Sequence, residues 1–393
     1  MNRKKAFICR VILTLLALDG ALFLLAACQS VAKENVPKEN VVTADVVRGK
    51  AGETRYFLYV ANTHGDTVSA YSINTSTGVL TAVDGSPFAA EMGPTGVAVD
   101  PMGRFLFVSN YGDNSVSAWK ISPSSGALTP GEGSPFAAGT GPTGVAVDPM
   151  GRFLFVSNYG GNSVSAWAIS PDRGACTALG GSPFATGSHP AGVAADPTGR
   201  QFYVANNGSN DLSTYMIKSK TGTGTAARGH GYSAGVYPTG VAVDPAGRFL
   251  YVTNNGSATV SAFLITPATG ALSEISGSPF PTGMSPWDAA IDPTGEFAYV
   301  TNATSASVIA YSIDQVSGAL AATPGSPFNT GSSPRGIAID PTGKFAYVAN
   351  YGANNVSAYS IEPGSGALTS ISGSPFAAGA RPEGVAMATV IDQ

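Results

Sequence analysis

Seven copies of a 48-residue unit fill most of the sequence and restrict the folds that are open to it. An asparagine follows an apolar segment in every copy, and the copies are 48 residues apart without an insertion or deletion: Asn62, Asn110, Asn158, Asn206, Asn254, Asn302 and Asn350. A proline keeps the same period at Pro94, Pro142, Pro190, Pro238, Pro286, Pro334 and Pro382. A fixed period of this length is typical of repeat proteins, in which each copy is one supersecondary unit.

One copy divides into four short strands. Residues 96–99 are small and apolar, and the turn at 100–103 has proline in its second place and glycine in its fourth. Residues 105–108 are apolar throughout and must be covered on both faces, whereas 116–121 and 127–129 complete the unit. The pattern predicts an all-β fold, a seven-bladed β-propeller with four antiparallel strands per blade. A β-helix is the alternative, but its coils are much shorter than this unit.

The two ends of the repeat array indicate how the ring closes. The first copy begins at its second strand, near Tyr56 to Val60, with no small inner strand before it. The chain ends with such an inner strand at 384–390, and Ala388 stands where the other copies have the turn aspartate. We therefore expect the C-terminal strand to complete the first blade.

The repeated segments resemble a known family. Tyr299-Val-Thr-Asn302 and Tyr251-Val-Thr-Asn254 are similar to the YVTN-type repeat, and they are accompanied by Val-Ser-Ala-Tyr strands and Asp-Pro-x-Gly-Arg/Lys turns. Together these segments resemble the lactonase-like seven-bladed propellers, which include 6-phosphogluconolactonase and the carboxy-muconate cyclases. The resemblance covers roughly residues 55–390 and implies lactone chemistry. The repeated residues are scaffold, however, and a propeller fold alone does not define an activity.

Composition excludes several other classes of protein. With 44% hydrophobic residues the chain can form a core, and its net charge of −4 argues against a nucleic-acid partner. The three histidines (His64, His189 and His230) are far apart, and no nucleotide-binding fingerprint occurs, so we predict neither a metal site nor a cofactor. Gly231-Tyr-Ser233-Ala-Gly235 matches a nucleophile elbow, but no helical pattern follows it. Cys176 replaces a leucine of other copies and is predicted to be a structural apolar residue.

The N-terminus has the order of an export signal. Basic residues are followed by an apolar run, and residues 25–28 (Leu-Ala-Ala-Cys) resemble a bacterial lipobox. The resemblance implies a signal peptide at 1–27 and a lipidated Cys28. The polar, aperiodic sequence that follows predicts a tether, so that the tether with its lipidated cysteine spans 28–54, and the repeats place the propeller at 55–393. Gln29 differs from the aspartate of an inner-membrane retention signal, which favours the outer membrane or the cell surface. An ordinary signal peptide with a chance cysteine is the alternative.

Candidate site residues are those that break the repeat next to the repeated proline. Two copies are plain there, whereas the others carry large or charged residues: His189, Tyr237, Trp287, Asp288, Arg335, Arg381 and Glu383. Because these segments lead into the inner strands, we expect them to line one mouth of the central channel. Glu383 and His189 are the candidate catalytic residues, and the other five are the candidate ligand-binding residues. The alternative is drift in exposed loops with ordinary salt bridges, such as one between Arg335 and Asp288.

Two classes of function remain open. The first is a lactone hydrolase, in which Arg335 and Arg381 bind an acidic substrate and Glu383 or His189 activates water. The second is a non-catalytic binding or scaffold module on the cell envelope. The predicted partner is a small anionic or sugar-like molecule, or another envelope protein. The membrane is contacted through the lipid alone, and the protein is predicted to be a monomer.

Overall fold

The computed structural model of the protein describes residues 54–218, 224–226 and 231–391, and these residues form strands and turns without a helix. The predicted signal peptide, Cys28 and the tether up to residue 53 lie outside this part of the chain. Within it, no helix is long and apolar enough to cross a membrane.

Seven antiparallel sheets form the blades, which we number one to seven in the chain order of their second strands. The innermost strands, from blade two to blade seven and then blade one, are Pro94–Val99, Pro142–Val147, Pro190–Ala195, Pro238–Val243, Pro286–Ile291, Pro334–Ile339 and Pro382–Ile391. The second strands, from blade one, are Thr54–Asn62, Phe105–Asn110, Phe153–Asn158, Gln201–Asn206, Phe249–Asn254, Phe297–Asn302 and Phe345–Asn350. The third strands are Thr67–Ile73, Ser115–Ile121, Ser163–Ile169, Asp211–Ile217, Thr259–Ile265, Ser307–Ile313 and Asn355–Ile361.

The outer part of each blade consists of two short segments that both pair with the third strand. The fourth strands are Leu80–Ala82, Leu128–Pro130, Cys176–Ala178, Gly224–Ala226, Leu272–Glu274, Leu320–Ala322 and Leu368–Ser370. The two-residue segments are Phe88–Ala89, Phe136–Ala137, Phe184–Ala185, Tyr232–Ser233, Phe280–Pro281, Phe328–Asn329 and Phe376–Ala377. The predicted four-stranded blade is confirmed, with this short segment added at its edge. Ser233 lies in one such segment, and no helix follows it, so the local geometry of a nucleophile elbow is absent.

The core lies between neighbouring blades. The second strand of blade two, Phe105–Asn110, is buried at every residue, as the apolar run at 105–108 predicts for its first four residues. Each hydrophobic cluster joins two adjacent sheets; for example, Phe155 of blade three stacks on Phe202 of blade four with ring centroids 4.4 Å apart. A blade therefore depends on both of its neighbours for burial.

The C-terminal strand closes the ring, which confirms the prediction. Pro382–Ile391 pairs antiparallel with Thr54–Asn62 in blade one, in a register that places Val385 opposite Val60 and Ile391 opposite Thr54. Ala388, which replaces the turn aspartate, is fully buried in this strand. Thr54, which was assigned to the tether, is the first residue of a strand.

The repeated asparagine of blade two has a structural role. Asn110 Nδ2 donates hydrogen bonds to Ser115 Oγ at 3.0 Å and Ser117 Oγ at 2.9 Å, and its side chain is buried. The amide thus ties the end of the second strand to the third strand.

Cys176 is partly buried, and burial raises the pKa of its thiol to about 12, which agrees with a structural residue rather than a reactive one.

Candidate functional site

A cavity of about 830 Å³ opens on the propeller axis where the proline segments enter the innermost strands. The residue after each repeated proline lines it. From blade two round to blade one this ring consists of Thr95, Thr143, Ala191, Thr239, Trp287, Arg335 and Glu383. Four consecutive blades therefore contribute small side chains, and the next three contribute large or charged ones. We call the cavity wall on blades six, seven and one the charged arc.

The next position in the strand is glycine in six blades because the innermost strands approach each other closely there. A Cβ atom at Gly336 would lie 2.4 Å from the carbonyl oxygen of Glu383, which is closer than a real Cβ can come. Asp288 is the exception, in blade six. Its Oδ1 accepts a hydrogen bond from the Ala289 N–H at 2.9 Å, and its Oδ2 accepts one from the Ile337 N–H of blade seven at 3.3 Å. The side chain thus connects two blades in the wall of the cavity.

An ion pair between Arg335 and Glu383 is the central feature of the charged arc. Arg335 Nη1 lies 2.7 Å from Glu383 Oε2, and Thr63 Oγ1 donates a hydrogen bond to the same oxygen at 3.0 Å. Both charged side chains are largely buried, with 21% and 16% of their surface exposed. Among the described residues Glu383 Oε1 has no partner, so this oxygen is available to a ligand. The pairing of Arg335 with Asp288 that was considered as the alternative is wrong.

Two aromatic rings hold the guanidinium group of Arg335. Its central carbon lies 4.1 Å from the ring centroid of Trp287 and 3.5 Å from that of Tyr351. A guanidinium group over an aromatic face is attracted by the ring quadrupole, most strongly where water is excluded. Arg335 is therefore fixed in place before any ligand arrives, and Glu383 is fixed with it.

The residues that precede the repeated prolines lie further out. His189, Tyr237 and Arg381 occupy a position with positive φ (51°, 53° and 58°), where plain blades have glycine, and all three are exposed. Tyr237 also lines the cavity. His189 instead packs on Tyr159 with ring centroids 4.7 Å apart, and the Arg381 guanidinium lies 4.9 Å from the Tyr351 ring.

The two candidate catalytic residues are not brought together. His189 belongs to blade four and Glu383 to blade one, so they lie on opposite sides of a ring of seven blades. Proton transfer between catalytic partners requires hydrogen-bond reach, directly or through one water molecule. The arrangement therefore places Glu383 in the charged arc and His189 outside it.

The sequence interpretation missed several lining residues that follow the repeated asparagines. Tyr111, Tyr159 and Tyr351 line the cavity from this position, and so does His64 one residue further along blade one. The edge of the His64 ring faces Tyr351, with centroids 6.2 Å apart. His64 replaces a glycine of most other copies, so a search for breaks in the repeat at this second position would have found it.

Burial raises the pKa of Asp288 from 3.8 to about 6, although the two backbone N–H groups act in the opposite direction. The folded state therefore keeps the Asp288 proton to a higher pH than the unfolded chain does. This carboxyl group contributes most to stability below about pH 4, and that contribution is lost as the pH rises through about 6.

Asp288→Asn is expected to become more stable relative to the wild type as the pH rises. The rise in the pKa of Asp288 from 3.8 to about 6 corresponds to at most about 3 kcal/mol of stability, and access of water to the cavity reduces this figure. The measurement is the free energy of unfolding of both proteins in urea between about pH 4.5 and 7.5. A difference in stability that does not change with pH would show that Asp288 titrates normally.

The fold and the cavity define a seven-bladed β-propeller with a ligand-sized site on its axis. The family model described as "Lactonase, 7-bladed beta-propeller" matches residues 15–139 and 137–380, and the chain belongs to this family. A comparison with curated proteins gives no match.

Three solved structures with the same fold illustrate the likeness at low sequence identity. A putative 6-phosphogluconolactonase from Bacteroides uniformis is 19% identical, with a TM-score of 0.74, over 85% of this chain and 99% of that chain. The periplasmic gluconolactonase of Pseudomonas aeruginosa is 20% identical, with a TM-score of 0.71, over 86% and 99%. Hydrazine synthase of Kuenenia stuttgartiensis is 21% identical, with a TM-score of 0.57, over 80% and 92%. At this identity the likeness concerns the fold, which serves different chemistries.

Proposed function

We propose that this protein binds a small sugar-acid lactone in the axial cavity and hydrolyses it to the open hydroxy acid. The observation that carries the proposal is the buried pair of Arg335 and Glu383, fixed by Trp287, Tyr351 and Thr63 in the cavity wall. Membership of the lactonase family supports it, and so does the lactonase activity for which two of the similar solved structures are named.

In this proposal Glu383 is the general base. Its Oε2 is occupied by Arg335 and Thr63, so Oε1 takes a proton from a water molecule as that water adds to the lactone carbonyl carbon. Arg335 stabilises the negative charge that develops on the carbonyl oxygen. The ester bond to the ring oxygen then breaks, and that oxygen receives the proton from Glu383. One water molecule is consumed, and one hydroxy acid is formed.

Other residues of the charged arc, together with Tyr237 of the adjacent blade five and Arg381, would orient the substrate. Trp287 and Tyr237 offer flat faces to a sugar ring, and the exposed Arg381 lies at the rim, where it attracts an acidic group. Asp288 is about half protonated near pH 6, so repulsion of an anionic ligand is weaker below that pH than above it.

Proton release in a pH-stat tests the proposal directly. The purified protein is given glucono-1,5-lactone and its 6-phosphate, and each rate is compared with that of buffer alone. Hydrolysis above the buffer rate is the expected result. The alternative is a non-catalytic module that binds a small ligand or another envelope protein. It is supported if neither lactone is hydrolysed but the corresponding sugar acids bind.

We also propose that the protein is exported and anchored by lipid at the bacterial cell envelope, on the outer membrane or surface, and that it is a monomer. The support is the Leu-Ala-Ala-Cys order at residues 25–28, followed by Gln29. Mass spectrometry of the native protein is expected to show an acylated N-terminus at Cys28, and Cys28→Ser is expected to retain the unprocessed signal. A mature N-terminus elsewhere, or an unmodified Cys28, contradicts the anchor.

A further inference from the structure

The cavity wall opposite the charged arc carries a second group of aromatic residues. We call Tyr111 and Tyr159, on blades two and three, the aromatic shelf; His189 of blade four does not line the cavity but packs against Tyr159. Tyr111 is 46% exposed, and its ring lies against Gly141, where an added Cβ would be 3.0 Å from the ring. Tyr159 packs in the same way on His189, which occupies the position of Gly141 in the next copy.

This half of the cavity is uncharged. Among the described residues that line the cavity, the only charged ones are Asp288, Arg335 and Glu383, which all belong to the charged arc. The threonine hydroxyl groups of the opposite half already have hydrogen-bond partners in the protein. Thr95 and Thr143 each hydrogen-bond a serine of the second strand at 3.0 Å. A phosphate group on this side would find no cation to pair with.

Neutral amides line the cavity between the aromatic shelf and the charged arc. Tyr159 donates a hydrogen bond to Asn207 Oδ1 of blade four at 3.4 Å. Asn255 Nδ2 of blade five donates to the Pro286 carbonyl of blade six at 3.1 Å, which leaves Asn255 Oδ1 as an acceptor. Aromatic faces pack against the C–H face of a pyranose ring, while amides and tyrosine hydroxyl groups form hydrogen bonds with the hydroxyl groups at the edge of the ring. The chemistry of this wall therefore fits an uncharged sugar.

The cavity is also larger than one sugar lactone requires. Its volume of about 830 Å³ lies in the upper part of the range of about 300–1,000 Å³ that accommodates drug-sized ligands. A monosaccharide lactone has only about a dozen heavy atoms and fills a fraction of such a space. When its carbonyl oxygen contacts Arg335, the aromatic shelf across the cavity remains uncovered.

We propose that the aromatic shelf is a second sugar subsite, and that the substrate is an unphosphorylated lactone at the end of a di- or oligosaccharide. The lactone ring contacts Glu383 and Arg335, and the adjoining sugar stacks on Tyr111 and Tyr159. This assignment of substrate class rests on the proposed lactone hydrolysis.

The test compares kcat/KM for cellobiono-1,5-lactone and maltobiono-1,5-lactone with that for glucono-1,5-lactone. At least one disaccharide lactone is expected to be better by about tenfold, because the second sugar covers two aromatic faces. Tyr111→Ala and Tyr159→Ala are expected to bring this ratio close to one, and Tyr111→Phe is expected to retain it. Melting temperatures of the variants control for folding.

Three outcomes separate the two proposals. If glucono-1,5-lactone is hydrolysed but the ratio is near one in the wild type, the aromatic shelf is not a subsite. Preference for glucono-1,5-lactone 6-phosphate over the unphosphorylated lactones likewise overturns this assignment and leaves the hydrolysis proposal intact. If no lactone is hydrolysed but cellotetraose or maltotetraose binds in calorimetry and Tyr111→Ala weakens that binding tenfold, the proposed reaction fails and the sugar subsite stands.

Discussion

Glu383→Gln is expected to lower kcat on a sugar lactone by about 10²–10⁴-fold, the usual contribution of a general base. Glutamine keeps the shape of the side chain, and its oxygen still accepts hydrogen bonds from Arg335 and Thr63. It cannot take a proton from water, so the loss falls on kcat rather than on KM. Steady-state kinetics on the purified variant, together with a thermal melt, measure both effects.

The matched control is Glu362→Gln, which makes the same chemical change at an exposed turn far from the cavity. This variant is expected to have wild-type kinetics and stability, since surface substitutions usually change stability by less than about 0.5 kcal/mol. Wild-type turnover by Glu383→Gln, with the protein folded, would remove Glu383 from the mechanism.

A chain that ends at Glu383 is expected to lose most of its stability. The deletion removes the innermost strand of blade one, including the fully buried Ala388 and the nearly buried Val390, and exposes one edge of Thr54–Asn62. Apolar burial and a row of backbone hydrogen bonds are lost, and the cost of about 5 kcal/mol or more is comparable with the whole stability of many domains. Circular dichroism melts and gel filtration measure the loss.

A chain that ends at Ile391 is the control for this truncation, because the full strand remains. It is expected to melt with the wild type. If the chain that ends at Glu383 melts at the wild-type temperature as a monomer, the C-terminal strand does not hold the ring closed.

The fold could be predicted from the sequence because one signal repeats seven times and the two ends complement each other. The missing inner strand before Tyr56 and the surplus strand at 384–390 define the closure without any knowledge of side-chain contacts. Details that depend on register could not be predicted in this way. Asn110 bonds Ser115 and Ser117 because the hairpin places Asn110 opposite Ser115, which the repeat alone does not indicate.

The site was predicted in part for a similar reason. Position in the repeat correctly predicted that Trp287, Asp288, Arg335 and Glu383 line the mouth of the channel. It did not indicate which carboxylate pairs with Arg335. Asp288 of blade six and Glu383 of blade one lie on the two blades that flank blade seven, so either could be the partner. It also grouped His189 with these residues, although the residue before each proline has positive φ and lies outside the ring of residues that follow the prolines.

The most direct test of the central claim compares the charged arc with the plain wall of the cavity. Arg335→Ala and Thr143→Ala change equivalent positions of the same ring, and calorimetry measures the affinity of each variant for gluconate, the product of the proposed reaction. Loss of a charge-assisted contact is expected to weaken binding by about 1.5–3 kcal/mol, or tenfold or more, in Arg335→Ala and to leave Thr143→Ala close to the wild type. Equal losses in both variants, or no loss in either, would contradict a functional site at the Arg335–Glu383 pair.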